Sequence, residues 1–238
     1  GNGASSVQLD PSLLTDRQMI TTARRELKKS KLGVFILPGF GTVKHDLEPY
    51  IDMIDVIEVG CHCSEVTVTK QHVEYGRSRG KEVYVALMMS HMADMQELVK
   101  QGRLAKEYGA SGIFLMDSAG ALIPSEVNDK ISALTWEVGL PVGFHPHNNL
   151  GLAVQNALTA VTAGARMIDG TSKGFGAGAG NVPLEILVGI LPKVGYKTNA
   201  NFYKALDASD TVATFASPVQ ITSDSIVSGL SGVFSGFA

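Results

Sequence analysis

Glycine closes one amphipathic stretch after another along this chain, at Gly80, Gly109, Gly139, Gly164 and Gly195, at intervals of 29, 30, 25 and 31 residues. A residue without Cβ takes up the left-handed conformation that ends an α-helix at little steric cost. An interval of about 30 residues is the length of one strand-plus-helix unit of a parallel sheet. The apolar runs fall where such units need their strands: Val34 to Leu37, Val56 to Val59, Val83 to Met89, Ile113 to Met116, Val142 to Phe144, and Met167 with Ile168. Between them, Met95, Leu98, Val99, Leu104 and Tyr108, or Leu152, Leu158 and Val161, recur at helical spacing. The expected class is α/β with about six strand-helix units. Parallel strands joined by right-handed crossovers either close into an eight-stranded barrel or form an open doubly wound sheet, and periodicity does not choose between them.

At the N-terminal side, Thr15 with Gln18 has the spacing of a capping box that opens the first helix. From about Asn199 the pattern changes. Phe202, Tyr203 and Leu206, then Ile226, Leu230 and Val233, keep helical spacing with no strand between them, and Ala216-Ser217-Pro218 reads as the loop joining two helices. The expected division is a partial barrel over residues 1–197 and the start of a helical region over 198–238.

The chain's 238 residues are 45% hydrophobic and 18% charged, enough apolar side chain to build one large core. The longest apolar segments are broken by charge well short of the roughly 18 residues of a membrane span, so no membrane partner is expected. A net charge of −3 argues against a nucleic-acid surface. The basic cluster Arg24, Arg25, Lys28 and Lys29 reads as a solvated helix face. Cys61 and Cys63 are too few for a disulfide framework, and a lone CxC is a poor zinc signature, which makes the cytoplasm the expected compartment.

The strongest chemical signal is His145-Pro-His147-Asn-Asn149 at the C-terminal end of a predicted strand. Residues two apart on a strand project from the same face, so both imidazoles can aim at one point. Such a pair suits a divalent cation at the strand end where parallel sheets place their sites, and equally two hydrogen-bonded structural histidines. Asp117 and Ser118 close the preceding strand at the same rim; a buried carboxylate there must be paired or metal-bound. Glu58 and Asp169 share that ambiguity. The run Gly174 to Gly180, ahead of a helix at Leu184, either cradles an anion on backbone amides or is a tight turn. His45, His62, His72 and His91 stand singly, and Met88, Met89, Met92 and Met95 read as core filler.

These segments together resemble the metal-dependent aldolase and acyl-transferase superfamily built on TIM barrels, which includes HMG-CoA lyase and isopropylmalate synthase, and most closely its 4-hydroxy-2-oxovalerate aldolases. The likeness is carried by Leu37-Pro-Gly-Phe-Gly41, His62-Cys-Ser-Glu65, Leu87 to Met92 (LMMSHM), Asp117-Ser-Ala-Gly120, His145 to Asn149, Gly176 to Glu185 (GAGAGNVPLE) and Gly232-Val-Phe-Ser235. It implies an incomplete (β/α)8 barrel, Mn²⁺ or another divalent ion such as Co²⁺ or Mg²⁺ on His145 and His147, and a small 2-keto acid substrate held in part by Ser118. The implied reaction is retro-aldol cleavage to pyruvate and an aldehyde, of the kind used in aromatic hydrocarbon catabolism. It further implies that the tail after Asn199 begins a helical region that docks an acylating acetaldehyde dehydrogenase. The family's Arg-Asp pair and nearby histidine, which supply its catalytic groups and third ligand, lie before the first residue here. Gly1 to Ser6 matches the loop after the family's second strand, so a fragment with an incomplete catalytic set is expected and no catalytic residue is assigned. A family tyrosine aligns with Phe234. Two alternatives stand beside the aldolase: an acyl-CoA/2-keto acid synthase, disfavoured because the Gly-rich loop lacks an internal Glu-Arg, and an inactive truncated barrel.

Overall fold

The structure, a computed structural model, describes residues 14–216 and 219–233. The readings at Gly1 to Ser6, Ser217-Pro218 and Phe234 lie outside the described residues. Six strands form one parallel sheet: β1 (Gly33–Ile36), β2 (Val56–His62), β3 (Glu82–Met88), β4 (Gly112–Asp117), β5 (Val142–Pro146) and β6 (Met167–Ile168). Each strand lies beside its predecessor, in the order β1-β2-β3-β4-β5-β6. A doubly wound sheet reverses direction part-way along that order; a barrel does not. The fold is therefore an incomplete (β/α)8 barrel, with β1 and β6 as its edges among the described residues.

The crossovers are α2 (Lys70–Ser78), α3 (Met95–Glu107), α4 (Pro124–Val138) and α5 (Ala153–Thr162), with α1 (Asp16–Glu26) before β1 and α6 (Leu184–Ile190) after β6. The five punctuating glycines all have positive φ, from 69° to 108°. Thr15 and Gln18 make the expected capping box, and the Asp94 side chain accepts the Glu97 N–H to open α3. Each cap satisfies a donor that the first turn would otherwise leave unpaired.

Strand parity divides the sheet into two faces. Ile57, Val59, Val83, Val85, Leu87, Ile113, Leu115, Val142 and Phe144 point outward and are fully buried under the helices. Each such side chain contributes about 1.5–3 kcal/mol of burial free energy. The inner face alternates aromatic rings with glycines. A Cβ on Gly60 would lie 2.5 Å from the Phe35 ring, one on Gly112 2.9 Å from Tyr84, and one on Gly143 2.4 Å from Phe114. Each ring thus occupies the space left by a glycine on the next strand. Met88 and Met116 join this inner cluster, whereas Met92 and Met95 are exposed. The reading of all four methionines as core filler is corrected: the last two sit on a 3-10 turn and the first turn of α3, outside both packed faces.

Two further helices follow, α7 (Phe202–Val212) and α8 (Ser223–Ser231). α8 rests on the C-terminal rim of the sheet. Gly229 abuts Leu150 and the Gly120 carbonyl, and His91 Nε2 donates to the Gly232 carbonyl at 2.7 Å. No helix among the described residues is long and apolar enough to cross a membrane.

Candidate active site

His145 lies on β5 and His147 just past its end, where main-chain pairing with Asn181 extends the ladder. The parity argument holds: the two rings come together, with centroids 5.0 Å apart and planes tilted by 52°. Each Nδ1 is committed. His147 Nδ1 donates to the Asp117 main-chain carbonyl at 2.9 Å, and His145 Nδ1 meets Asp169 Oδ2 at 2.9 Å. A main-chain carbonyl only accepts, so His147 carries a proton on Nδ1, and a carboxylate acceptor favours the same Nδ1–H arrangement for His145. Burial, with the neighbouring His145 in second place, pushes His147 down to about 4 and keeps it neutral at physiological pH.

Asp117 is not part of this cluster. On β4, Met116 pairs with His145 and Asp117 with Pro146, which turns the Asp117 side chain to the opposite face. There its carboxylate accepts from the Ala121 N–H at 2.9 Å and the Leu122 N–H at 3.2 Å, shaping the rim loop. Burial outweighs these bonds and raises it to about 6. Of the two readings left open for Asp117, the backbone-bonded one is correct. Ser118, also buried, accepts the Met89 N–H at 2.9 Å. Met89 has φ 55°, an unusual conformation for a residue with a side chain, and this hydrogen bond helps hold it.

Glu58 lies on the inner face, with Oε1 buried and without a hydrogen-bond partner. Burial raises it to about 7, and the negative charge of Asp169 adds to the shift.

The glycine-rich loop is a tight turn. Asn181 N donates to the Gly174 carbonyl at 2.8 Å, Asn148 N to Gly180 at 2.8 Å, and Ala179 N to the Asn149 side chain at 2.9 Å. A Cβ on Gly178, at φ 60°, would lie 2.6 Å from Asn149 Oδ1. These amides bond the protein itself, which supports the tight-turn reading at both ends of the run. The lone histidines are mostly accounted for as well: His72 Nε2 bonds the Gly41 carbonyl and His62 Nδ1 the Ser64 hydroxyl. Cys61 and Cys63 are buried free thiols, with Cys61 raised to about 12 by burial.

Two imidazoles with oxygen-anchored Nδ1 atoms are the donor chemistry that a borderline divalent cation takes. Asn181, paired with His147 through the main chain, keeps its Oδ1 buried without a hydrogen-bond partner. The residues present therefore fit part of a coordination shell. Among the described residues no group of three or more His, Cys, Asp or Glu side chains is placed to hold an ion.

The sequence reading missed the His145–Asp169 bond. Its signal lies in the strand order: Phe144 pairs with Ile168, so the next residue on each strand must be neighbours.

The profile of the HMGL-like family matches residues 53–212. Over its whole length the chain is 47% identical to the 4-hydroxy-2-oxovalerate aldolase of Spirochaeta aurantia, of which it covers 71%, and 47% identical to that of Serratia proteamaculans, covering 72%. The chain belongs to the HMGL-like family, on its 4-hydroxy-2-oxovalerate aldolase branch. Members of this branch are carbon–carbon lyases, and that is the enzyme class of the chain. Solved structures agree on the HMGL-like fold. The N-terminal domain of a candidate aldolase from Bacteroides vulgatus superposes with a TM-score of 0.81 at 23% identity, covering 95% of this chain and 79% of that one. The Bacillus subtilis HMG-CoA lyase superposes at 0.72 and 20% identity, covering 89% and 79%.

Proposed function

We propose that the rim of this sheet binds a divalent cation, Mn²⁺ or a related ion such as Co²⁺ or Mg²⁺, through His145 and His147, and serves cleavage of a 4-hydroxy-2-oxoacid to pyruvate and an aldehyde. The observation that carries the reading is the pair of converging imidazoles, each with its Nδ1 tied to an oxygen. The relatives' names supply the substrate, 4-hydroxy-2-oxovalerate, and hence acetaldehyde as the second product.

When bound, the cation supplies Lewis-acid stabilisation for the negative charge that develops on the 2-keto oxygen as the C3–C4 bond breaks. The residues of the chain prepare for this. His147 is held neutral by burial across the physiological range, the protonation state in which an imidazole can ligate a cation. Ser118 accepts from Met89 and so retains its own hydroxyl proton to donate to the keto acid. Asp117 fixes the loop of Ala121 and Leu122 beside it. No described residue is assigned as the acid or base. An acylating acetaldehyde dehydrogenase as consumer of the aldehyde, and a cytoplasmic setting, complete the proposal.

The test is incubation with 4-hydroxy-2-oxovalerate and Mn²⁺. Release of pyruvate with acetaldehyde, lost in His145→Ala and His147→Ala, supports the aldolase. Condensation of acetyl-CoA with a 2-keto acid would point to the synthase, and no turnover in any assay to a non-catalytic barrel. Because two histidines leave most coordination positions to water, calorimetry of the chain with Mn²⁺ alone is expected to give weak binding. Submicromolar affinity would show that the described residues hold a fuller site.

A further inference from the structure

The two rim imidazoles are held by different means. His147 is anchored by a main-chain carbonyl, that of Asp117, which every residue type would supply. His145 is anchored by a side chain, Asp169 Oδ2, at 2.9 Å. The sheet delivers that carboxylate in a fixed place: Asp169 N donates to the Phe144 carbonyl at 3.1 Å, directly after the Phe144–Ile168 pair. The Asp169 carboxylate thus lies beside His145 by strand register rather than by the reach of a mobile side chain.

From this we infer that Asp169 is the positioning residue of the cation site: it fixes the tautomer and rotation of the His145 ring and, through its charge, strengthens Nε2 as a donor. The inference rests on the cation reading of His145 and His147. A carboxylate behind a ligating imidazole does both things in metal sites generally, and its loss there typically costs about 10- to 100-fold in metal affinity. The competing explanation is a structural ion pair. The Asp169 side chain is 35% exposed against 19% for His145, and a pair with its carboxylate partner this open to water adds little to stability. The bond is poorly placed to stabilise the fold and well placed to orient the ring.

The experiment compares the wild-type chain with Asp169→Asn, which keeps the shape and one acceptor oxygen without the charge, and Asp169→Ala, which removes both. Ring ¹⁵N spectra report the tautomer of each histidine, and Mn²⁺ alone, added stepwise, reports the site through paramagnetic broadening of the same rings. In the wild type His145 is expected as the Nδ1–H tautomer, with both rings broadened together. Asp169→Asn is expected to weaken the Mn²⁺ response by about 10-fold and Asp169→Ala by up to about 100-fold. In Asp169→Ala the His145 tautomer becomes mixed, while that of His147 and the unfolding midpoint stay unchanged. A merely structural role would move the midpoint and leave the tautomer alone. Unchanged tautomer and Mn²⁺ response in Asp169→Ala overturn the inference while the cation reading stands. If wild-type rings are not broadened at all, the cation reading fails and this inference with it.

Discussion

The outer and inner faces of the sheet are built from the same six strands and obey opposite rules. The outer face is a continuous layer of Val, Ile, Leu and Phe side chains sealed under helices. The inner face interleaves rings with glycines and carries Glu58 and His145. The difference shows where each kind of free energy resides. Burial on the outside holds the barrel together, and the inside is left free to carry polar groups that a stability-only design would exclude.

The largest expected effect tests the outer face. Leu115→Ala removes a fully buried side chain between β4 and the helices, and is expected to cost about 2–5 kcal/mol in urea unfolding. A cost under about 1 kcal/mol would mean that the two faces share the load.

Next comes the charge on the inner face. Glu58 is raised from an ordinary 4.5 to about 7, so the fold favours its protonated form. Its contribution is fully present below about pH 4.5 and is lost as the pH climbs through about 7. The difference is about 3 kcal/mol, an upper figure for a carboxyl with some solvent access. Unfolding free energies at about pH 5 and about pH 8 should fall accordingly in the wild type, and Glu58→Gln should flatten that slope. An unchanged slope in the variant would place the titrating group elsewhere.

Packing on the same face gives the third effect. Gly143→Ala puts a methyl 2.4 Å from the Phe114 ring, closer than any relaxed contact, and is expected to destabilise by about 1–3 kcal/mol through overpacking. The double variant Gly143→Ala with Phe114→Leu, which vacates part of that space, should recover some of the loss. Additive losses would break the ring-into-glycine account of the inner face.

These contrasts also explain what could be read from the residues alone. The strand-helix rhythm was legible because glycine caps and apolar runs are local signals, and all six strands fall where the runs placed them. The convergence of His145 and His147 was legible because parity is local too. The pairing of His145 with Asp169 was not, because it depends on which strand lies beside β5, a property of the strand order and not of any short segment. The Gly174 to Gly180 loop was ambiguous for a related reason. Whether its amides face a ligand or the protein depends on Asn148 and Asn149, some 30 residues earlier in the chain. Met92 and Met95 were misread because hydrophobicity is not burial: one lies on a short 3-10 turn and the other on the first turn of α3, and neither face covers them.

The smallest expected effect sharpens the comparison by adding a third surface. α4 presents Val127, Ile131, Leu134 and Val138 to the sheet, all buried, while Trp136 on the same helix is 90% exposed. Hydrophobicity alone would rank Trp136 as the most valuable residue of the helix; position ranks it last. Trp136→Ala is therefore expected to shift the unfolding free energy by no more than about 0.5 kcal/mol, against about 2–5 kcal/mol for Leu134→Ala two residues away. Denaturation followed by circular dichroism measures both without relying on the fluorescence of this single tryptophan. A loss of 2 kcal/mol or more at Trp136, at the scale of about 2–5 kcal/mol set by buried positions, would mean that the ring is covered in solution. It would then belong to an interface, and a concentration dependence of the Trp136 penalty would identify a second copy of the chain as what covers it.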